Sequence, residues 1–246
     1  MKADKILYPG TVWWMLLLLP AVFFGFYPTY FSKLGSPMDL LLHVHTFFMA
    51  VWVALAILQP LLIRYKKIRR HKTLGKLSYF IMAGALVTGY FTIRLSYHNR
   101  IEEVDTAEMA ADPSKLAFIQ EDMYISMIYL SWLACFYLLA IFNRRRMLYH
   151  ATFMFAAVLT VLGPTLDRII FRVYRYYGRG FDLFAEYAVF CLIDLLLAGL
   201  LFYQWRKGYN TKPVLISLAI YLSGQLAYMF LPQTQVWKKF VGIVLS

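Results

Sequence analysis

The feature that most restricts the fold is an apolar stretch followed at once by a basic cluster. Residues 38–63 are charged only at Asp39, and the stretch is long enough to cross a bilayer, whose core needs about 20 helical residues. Positive charges follow it at Arg64, Lys66, Lys67, Arg69, Arg70 and Lys72. Because Lys and Arg concentrate in short cytoplasmic loops, this cluster predicts that the stretch ends on the cytoplasmic side.

The composition indicates that the whole chain belongs in a membrane. Of its 246 residues, 61% are hydrophobic and 15% are charged, whereas soluble domains average about 45–50% and about 25%. We predict an all-α integral membrane protein with a single transmembrane helical domain over 1–246. The net charge of +12 lies largely beside apolar stretches, which favours a lipid bilayer over nucleic acid as the partner. Nothing in the sequence specifies an oligomeric state.

Seven apolar stretches predict a bundle of about seven transmembrane helices. They cover residues 11–31, 38–63, 74–97, 123–142, 147–171, 182–205 and 213–231. Four basic clusters fall on one side of this arrangement, which predicts a cytoplasmic N-terminus and an external C-terminus. The acidic segment 102–122 then lies outside. Lys238 and Lys239, in the outer tail, disagree with this charge pattern.

Asp194 is the residue hardest to place in a membrane, because a charged and unpaired Asp near the bilayer centre costs roughly 2.5–3.5 kcal/mol. We expect it to face the bundle interior. Its helix face also carries Tyr187, Cys191 and Ala198. One interpretation is a site that binds a small ligand or relays protons, with Gln225, Tyr221 or Thr160 as neighbours. The alternative is a protonated carboxyl group that hydrogen-bonds between helices.

The second stretch adds two candidates to this polar interior. Taken as a helix, it places His45, Met49, Trp52, Ala56 and Gln59 on one stripe. His43 points about 200° away from His45, so only one of the two faces the bundle centre squarely. His45 and Gln59 therefore join Asp194 and Gln225 in the predicted ligand-binding or proton-relay set.

Two other histidines are candidate haem ligands. A b-type haem needs two neutral imidazoles from facing helices at equal depth. His71 and His150 both fall near the inner membrane surface, whereas the outer histidines are poorly matched in depth. The alternative is a pair of interfacial or hydrogen-bonded histidines without a cofactor. A haem-b or quinone-linked membrane redox protein is therefore the alternative function.

A group of arginines follows the fifth stretch on the external side, against the usual charge bias. Arg168, Arg172, Arg175 and Arg179 are spaced four, three and four residues apart, which places them on one helix face. One interpretation is a set of ion pairs with the acidic segment 102–122. The other is a site for an anionic ligand or a lipid headgroup, which arginine binds bidentately. Asp167, Arg168 and Arg172 are the candidates for that second role.

Two motifs resemble those of a bacterial multi-pass membrane family of unknown function. The run RRHKTLGKLSY, after a His-bearing helix, resembles that family's HRxLGR loop, and NRRRMLYHATFMFAAV resembles its HRRWMxRS loop, with Asn143 where the family tends to have His. The resemblance implies a plasma membrane or bacterial inner membrane location. A fainter resemblance, through His45, His71 and His150, is to the transmembrane haem-b ferric reductases, and it implies haem b as cofactor.

Overall fold

The computed structural model describes residues 11–104, 112–176 and 183–246, and within them every long regular element is an α-helix. The helices are α1 (Thr11–Leu16), α2 (Leu18–Phe26), α3 (Leu40–Arg64), α4 (Ile68–Glu102), α5 (Ser114–Phe142), α6 (Met147–Tyr176), α7 (Leu183–Arg206), α8 (Lys212–Phe230) and α9 (Gln235–Val244). Helices α3 to α8 are each long and apolar enough to cross a membrane, and a shorter apolar segment precedes them. The predicted all-α membrane bundle is confirmed, and the chain is a multi-pass membrane protein.

Helix α6 lies at the centre of the bundle. It packs against α2, α3, α5, α7 and α8, and its residues Phe153, Ala156 and Ala157 are almost completely buried. Tyr221 of α8 reaches it by donating a hydrogen bond of 2.8 Å to the Ala156 carbonyl oxygen. The ring of Tyr221 also packs on Phe136 of α5, with centroids 4.8 Å apart. Small residues on α6 allow its neighbours to approach closely, so α6 organises the core.

The first predicted span, residues 11–31, is present but divided in the structure. It forms two short helices, α1 and α2, with a break at Leu17. Pro20 has no N–H to donate to the Leu16 carbonyl, and its ring crowds that carbonyl, which explains a break one turn earlier. At 1.5 Å per residue, the described part of this segment, Thr11–Phe26, extends about 24 Å. This segment packs on α3 and α6 and runs from one end of the bundle to the other. The Trp13 ring centroid lies 5.8 Å from the Arg64 guanidinium at the basic end, and the Gly25 carbonyl oxygen accepts from Arg172 at the opposite end.

Helix α4 is longer than the predicted span 74–97. It begins at Ile68, so the connection from α3 is only Tyr65–Lys67, and it continues to Glu102. Arg69, Arg70 and Lys72 therefore lie in the first turns of a helix and not in a loop. With 35 residues, α4 extends about 52 Å and must project beyond an apolar core of about 30 Å.

The basic connections after α3 and α7 begin with the same backbone turn. Lys66 and Gly208 have left-handed φ angles of 58° and 67°. In each case the following N–H bonds back to a carbonyl five residues earlier, at 2.7 Å and 2.9 Å. This pattern is the Schellman motif, which ends a helix and satisfies its last carbonyl groups. It turns the chain sharply, so the basic residues stay at one end of the bundle.

The basic connections lie at one end of the bundle and the acidic segment lies at the other. At one end Arg144, after α5, donates a hydrogen bond of 2.7 Å to the hydroxyl of Tyr79 near the start of α4. At the other end Arg100 of α4 pairs with Asp122 of α5. This arrangement agrees with the predicted topology, in which the basic end is cytoplasmic.

The topology can be tested with inserted reporters. A reporter placed after Lys67 is expected to behave as cytoplasmic, and one placed at Asp112 as external, because the basic connections stay inside. Accessibility of each reporter to a membrane-impermeant reagent in intact cells is the measurement. If both sites respond alike, the number of spans between them is wrong.

The tail beyond α8, expected as an external segment, forms the amphipathic helix α9. Its Trp237 and Val241 are buried, and Tyr90 of α4 donates to the Val244 carbonyl oxygen at 2.5 Å. Lys238 pairs with Glu121 of α5 at 2.8 Å. One of the two lysines that disagreed with the charge pattern is therefore neutralised by the acidic segment.

Candidate functional site

Asp194 and Gln225 meet between two neighbouring helices at the same depth. Asp194 lies twelve residues before Arg206, the last residue of α7, and Gln225 lies thirteen after Lys212, the first of α8. Both are therefore about 18–20 Å from the basic end of the bundle, near mid-membrane depth. The Gln225 Nε2 donates to Asp194 Oδ1 at 3.1 Å. Of the neighbours predicted for Asp194, Gln225 is the one that hydrogen-bonds to it in the described structure.

This pair lies in an apolar groove of about 390 Å³. The groove walls include Tyr187, Phe190, Leu222 and Met229. It opens to the outside of the bundle, because the rim residues Leu195 and Leu226 are 64% and 58% exposed. Asp194 itself is half-buried. The site is thus a mostly apolar cleft with one carboxyl group and one amide.

The helix face that carries Asp194 does not line the core, contrary to our expectation. Tyr187, Cys191 and Ala198 are all exposed, whereas Ile193 and Leu197 are completely buried. The reason is that α7 turns its aliphatic face towards α6, which leaves the polar face at the α7–α8 groove. The carboxyl group is shared between two helices instead of being enclosed by the whole bundle.

The histidines predicted at equal depth do approach each other. The ring centroids of His71 in α4 and His150 in α6 are 6.5 Å apart, with ring planes at 83°. The Nδ1 atom of His150 bonds to the Ala140 carbonyl oxygen at 2.9 Å. Since a carbonyl only accepts, Nδ1 carries the proton and Nε2 is left as a bare acceptor. The pair lies at the basic end of the bundle, and whether it holds haem stays a prediction.

Two polar atoms beside this pair are buried without a hydrogen-bond partner among the described residues. They are His71 Nδ1 and Gln59 Oε1. Gln59 lies over Gly75, one turn after His71 in α4, where its Nε2 is 4.0 Å from the position of an added Cβ. A buried polar atom left unsatisfied costs about 1–3 kcal/mol.

The outer histidines have protein partners instead. His45 Nδ1 is 3.1 Å from Thr88 Oγ1 of α4, and His43 Nδ1 is 2.9 Å from the hydroxyl of Tyr30. The two therefore point to different sides of α3, as their spacing predicted. Part of the predicted α3 stripe also faces inward, because Trp52 is only 3% exposed. A role for His45 in ligand binding stays a prediction.

The described arginines contact the end of α2. Arg172 donates to the carbonyl oxygens of Phe24 and Gly25, at 3.2 Å and 3.4 Å. The Arg168 guanidinium lies 4.6 Å from the centroid of the Phe26 ring. A cation at a helix C-terminus is stabilised by the unpaired carbonyl groups there, which explains basic residues on the external side.

Neither interpretation of the arginine face anticipated this contact. In the acidic segment, Asp122 pairs with Arg100, and Glu121 with Lys238. Asp167 is half-buried in the same turn as Arg168. The side chain of Arg175 and the whole of Arg179 lie outside the described residues. An anionic ligand or lipid headgroup at Asp167, Arg168 and Arg172 stays a prediction.

Metal sites built only from protein ligands find little support. In the described part of the chain, no three His, Cys, Asp or Glu side chains are grouped closely enough to hold a metal ion. Any metal at His71 and His150 would need further ligands of another kind.

Comparison with known proteins gives no assignment. No family model, no curated protein and no solved structure matches this chain.

Proposed function

We propose that this multi-pass membrane protein binds a lipophilic cation in the groove between α7 and α8 and exchanges it for a proton at Asp194. The observation that carries the proposal is the hydrogen bond between Gln225 and Asp194 inside an apolar cleft. A carboxyl group at this depth needs a proton or a counter-ion. A cleft with otherwise apolar and aromatic walls favours a ligand that is both hydrophobic and positively charged.

Gln225 gives the carboxyl group a defined orientation. Its amide donates to Oδ1, which leaves Oδ2 to hold either a proton or the ligand's positive charge. The two occupants exclude each other, because a protonated carboxyl group has no charge to pair with a cation. Proton and cation are therefore expected to compete for Asp194, which is the basis of exchange.

Aromatic rings beside the carboxyl group favour the same class of ligand. Phe190 packs against Tyr187 and Tyr228, with centroid distances of 6.4 Å and 5.6 Å. A cation within about 6 Å of an aromatic face is attracted to it, more strongly where water is excluded. The rings and Asp194 together provide apolar contact and negative charge in one cleft.

The outward opening of the groove between α7 and α8 gives a ligand a route of entry from the bilayer. The groove faces outward at the depth of the membrane-spanning helices, with Leu195 and Leu226 exposed at its rim. A hydrophobic ligand that partitions into the bilayer reaches this opening without crossing the bundle. A bacterial inner-membrane location, implied by the resemblance and by the basic end, is part of the same proposal.

Binding of radiolabelled tetraphenylphosphonium to protein in lipid nanodiscs tests the proposal. Saturable binding by the unmodified chain is expected to weaken as the pH is lowered, because protons compete for the carboxylate. Asp194→Asn is expected to lower the affinity at least about tenfold, or about 1.4 kcal/mol, and to remove the pH dependence. Gln225→Leu is expected to weaken binding by a smaller factor, because it removes only the orienting hydrogen bond.

Leu215→Ala is the matched control. Leu215 is an exposed residue of α8 about 15 Å from Gln225 along the helix, so its replacement leaves the groove unchanged. Binding by this variant should equal that of the unmodified chain. Equal affinity and equal pH dependence in Asp194→Asn would contradict the proposal, as would the absence of saturable binding.

A further inference from the structure

Helix α9 has a second apolar face, which the bundle does not cover. Its Trp237 and Val241 are buried against the bundle, whereas Val236, Phe240 and Ile243 are 75%, 43% and 78% exposed. These three exposed residues are spaced four and three apart, so they form one strip along another side of the helix. A strip of this kind marks a contact with an apolar partner, and the depth of α9 in the membrane decides which partner that is.

Contacts with α5 place α4 and α8 on a common depth scale. A Cβ added at Gly89 of α4 would lie 2.9 Å from the Leu130 side chain, and one added at Gly224 of α8 would lie 2.5 Å from Ile128. Ile128 and Leu130 are two residues apart, which is about 3 Å along α5. Gly89 and Gly224 are therefore nearly level, and the residue after Gly224 is Gln225, near mid-membrane depth.

Helix α9 runs from the outer boundary of the membrane towards this level. In its first turn Trp237 Nε1 donates to the Gln120 carbonyl oxygen at 2.7 Å. Gln120 comes eight residues before Ile128, so it lies about 12 Å further out along α5. In the last turn the Val244 carbonyl oxygen accepts at 2.5 Å from Tyr90, at the mid-membrane level of α4. Half of an apolar core of about 30 Å is about 15 Å, so α9 lies at the depth of the outer leaflet.

The two lysines of α9 fit this placement. Lys238 pairs with Glu121 of α5 at 2.8 Å, so its charge is neutralised by the protein. Lys239 is exposed and lies three residues after Val236 and four before Ile243, directly beside the strip. A lysine near the outer boundary of the apolar core extends its ammonium group to lipid phosphates while its stem stays among the acyl chains.

We propose that α9 is a re-entrant helix that dips into the outer leaflet and binds phospholipid, with acyl chains against Val236, Phe240 and Ile243 and a phosphate at Lys239. The bundle covers one side of the helix and lipid covers the other, as for amphipathic helices that lie in a membrane interface. The inference goes beyond the proposed cation binding, because its surface is on α9 and not in the groove between α7 and α8. Failure of either proposal leaves the other intact.

Spin labels at single cysteines test the depth of the strip in the full chain, reconstituted into vesicles of phosphatidylcholine and phosphatidylglycerol. Cys135→Ala and Cys191→Ala first remove the two native thiols. Val236→Cys, Phe240→Cys and Ile243→Cys then carry one label each, and none of them removes a buried side chain. Collisions with oxygen, which concentrates in lipid, are expected to exceed collisions with a water-soluble nickel chelate at all three positions. The excess is expected to grow from the first position to the last.

Gln235→Cys and Val87→Cys are the matched references. Gln235 is exposed next to Val236 but lies outside the strip, so its label should meet the nickel chelate more often than oxygen. Val87 is exposed on α4, two residues before Gly89 and therefore near mid-membrane depth, so its label should meet oxygen almost alone. Size-exclusion elution of each variant checks that the fold is kept.

The phosphate contact is tested with the same label at Ile243. Lys239→Glu is expected to shift this label towards the nickel chelate, because a carboxylate repels lipid phosphate, whereas Gln235→Glu should leave it unchanged. No shift in Lys239→Glu would overturn the phosphate contact. Strip labels that meet mainly nickel would show that the strip faces water, and labels that neither reagent reaches would show that a second protein covers it. Either result would overturn the inference, as would equal shallow depths at all three strip positions.

Discussion

Trp237→Ala is expected to detach α9 from the outer end of the bundle. Trp237 is 7% exposed, its Nε1 donates to the Gln120 carbonyl oxygen at 2.7 Å, and its ring packs on Tyr124 with centroids 4.8 Å apart. Replacing a buried Trp by Ala costs about 3–5 kcal/mol. Val241 is also completely buried and Lys238 pairs with Glu121, but the indole contact is the largest one at the start of this ten-residue helix, so its loss opens α9 from that end. Hydrogen exchange of the amides of Gln235–Val244 should rise while exchange in α5 and α6 is unchanged.

Val236→Ala is the control for this effect. Val236 precedes Trp237 in the same helix but is 75% exposed, so its replacement removes almost no packing. Its hydrogen exchange should match that of the unmodified chain. If Trp237→Ala leaves α9 as protected as Val236→Ala does, the helix is held mainly by Lys238 and by the backbone contacts of its last turn.

Gly163→Ala is expected to destabilise the packing of α6 on α5. A Cβ at Gly163 would lie 2.0 Å from Cζ of the Tyr129 ring, far inside van der Waals contact. The ring also packs on Trp132, with centroids 5.4 Å apart, so it has no simple way to move aside. Overpacking of this kind costs about 1–3 kcal/mol. Unfolding in a titration with sodium dodecyl sulfate should therefore begin at a lower detergent fraction.

Gly75→Ala provides the matched comparison, because Gly75 is also helical and has nothing closer than 4.0 Å to an added Cβ. It should be neutral or stabilising by about 0.4–1 kcal/mol, since alanine reduces the entropy of the unfolded chain. Combining Gly163→Ala with Tyr129→Leu, which removes the opposing ring, should recover part of the loss. Equal unfolding of the two glycine variants would mean that the α5–α6 contact is looser than the structure shows.

The apolar lengths in the sequence were sufficient to predict the fold, because a membrane span needs a long apolar helix. They did not show the division of the first stretch, because the mean hydropathy of a stretch does not record a missing backbone N–H at Pro20. The backbone does not, since proline interrupts the helix one turn earlier. Helix α9 was missed for a related reason. Its ten residues are too few to span, and the spacing of Trp237 and Val241 is visible only once helical periodicity is considered.

The candidate sites could be predicted where the depth of a residue in the membrane is enough to determine its neighbours. His71 and His150 were chosen because they lie at equal depth on two helices that begin at the same end of the bundle, and Asp194 and Gln225 lie at equal depth on two antiparallel helices. Depth does not specify which way a helix is rotated, so the exposure of Cys191 beside Asp194 was not foreseen. The contact between Arg172 and α2 was also not predictable. Every residue has a backbone carbonyl group, so the sequence does not show which of them an arginine contacts.

The contact between Arg172 and the end of α2 has a consequence for the order of biosynthesis. The carbonyl of Phe24 is made 148 residues before the guanidinium that binds it. At about 5–20 residues per second, that interval lasts about 7–30 s. The backbone of Thr165, against which Gly25 packs, is also still unmade during this time. This apolar segment therefore leaves the ribosome well before its contacts on α6 exist, and it waits in the insertion machinery or in lipid until α6 arrives.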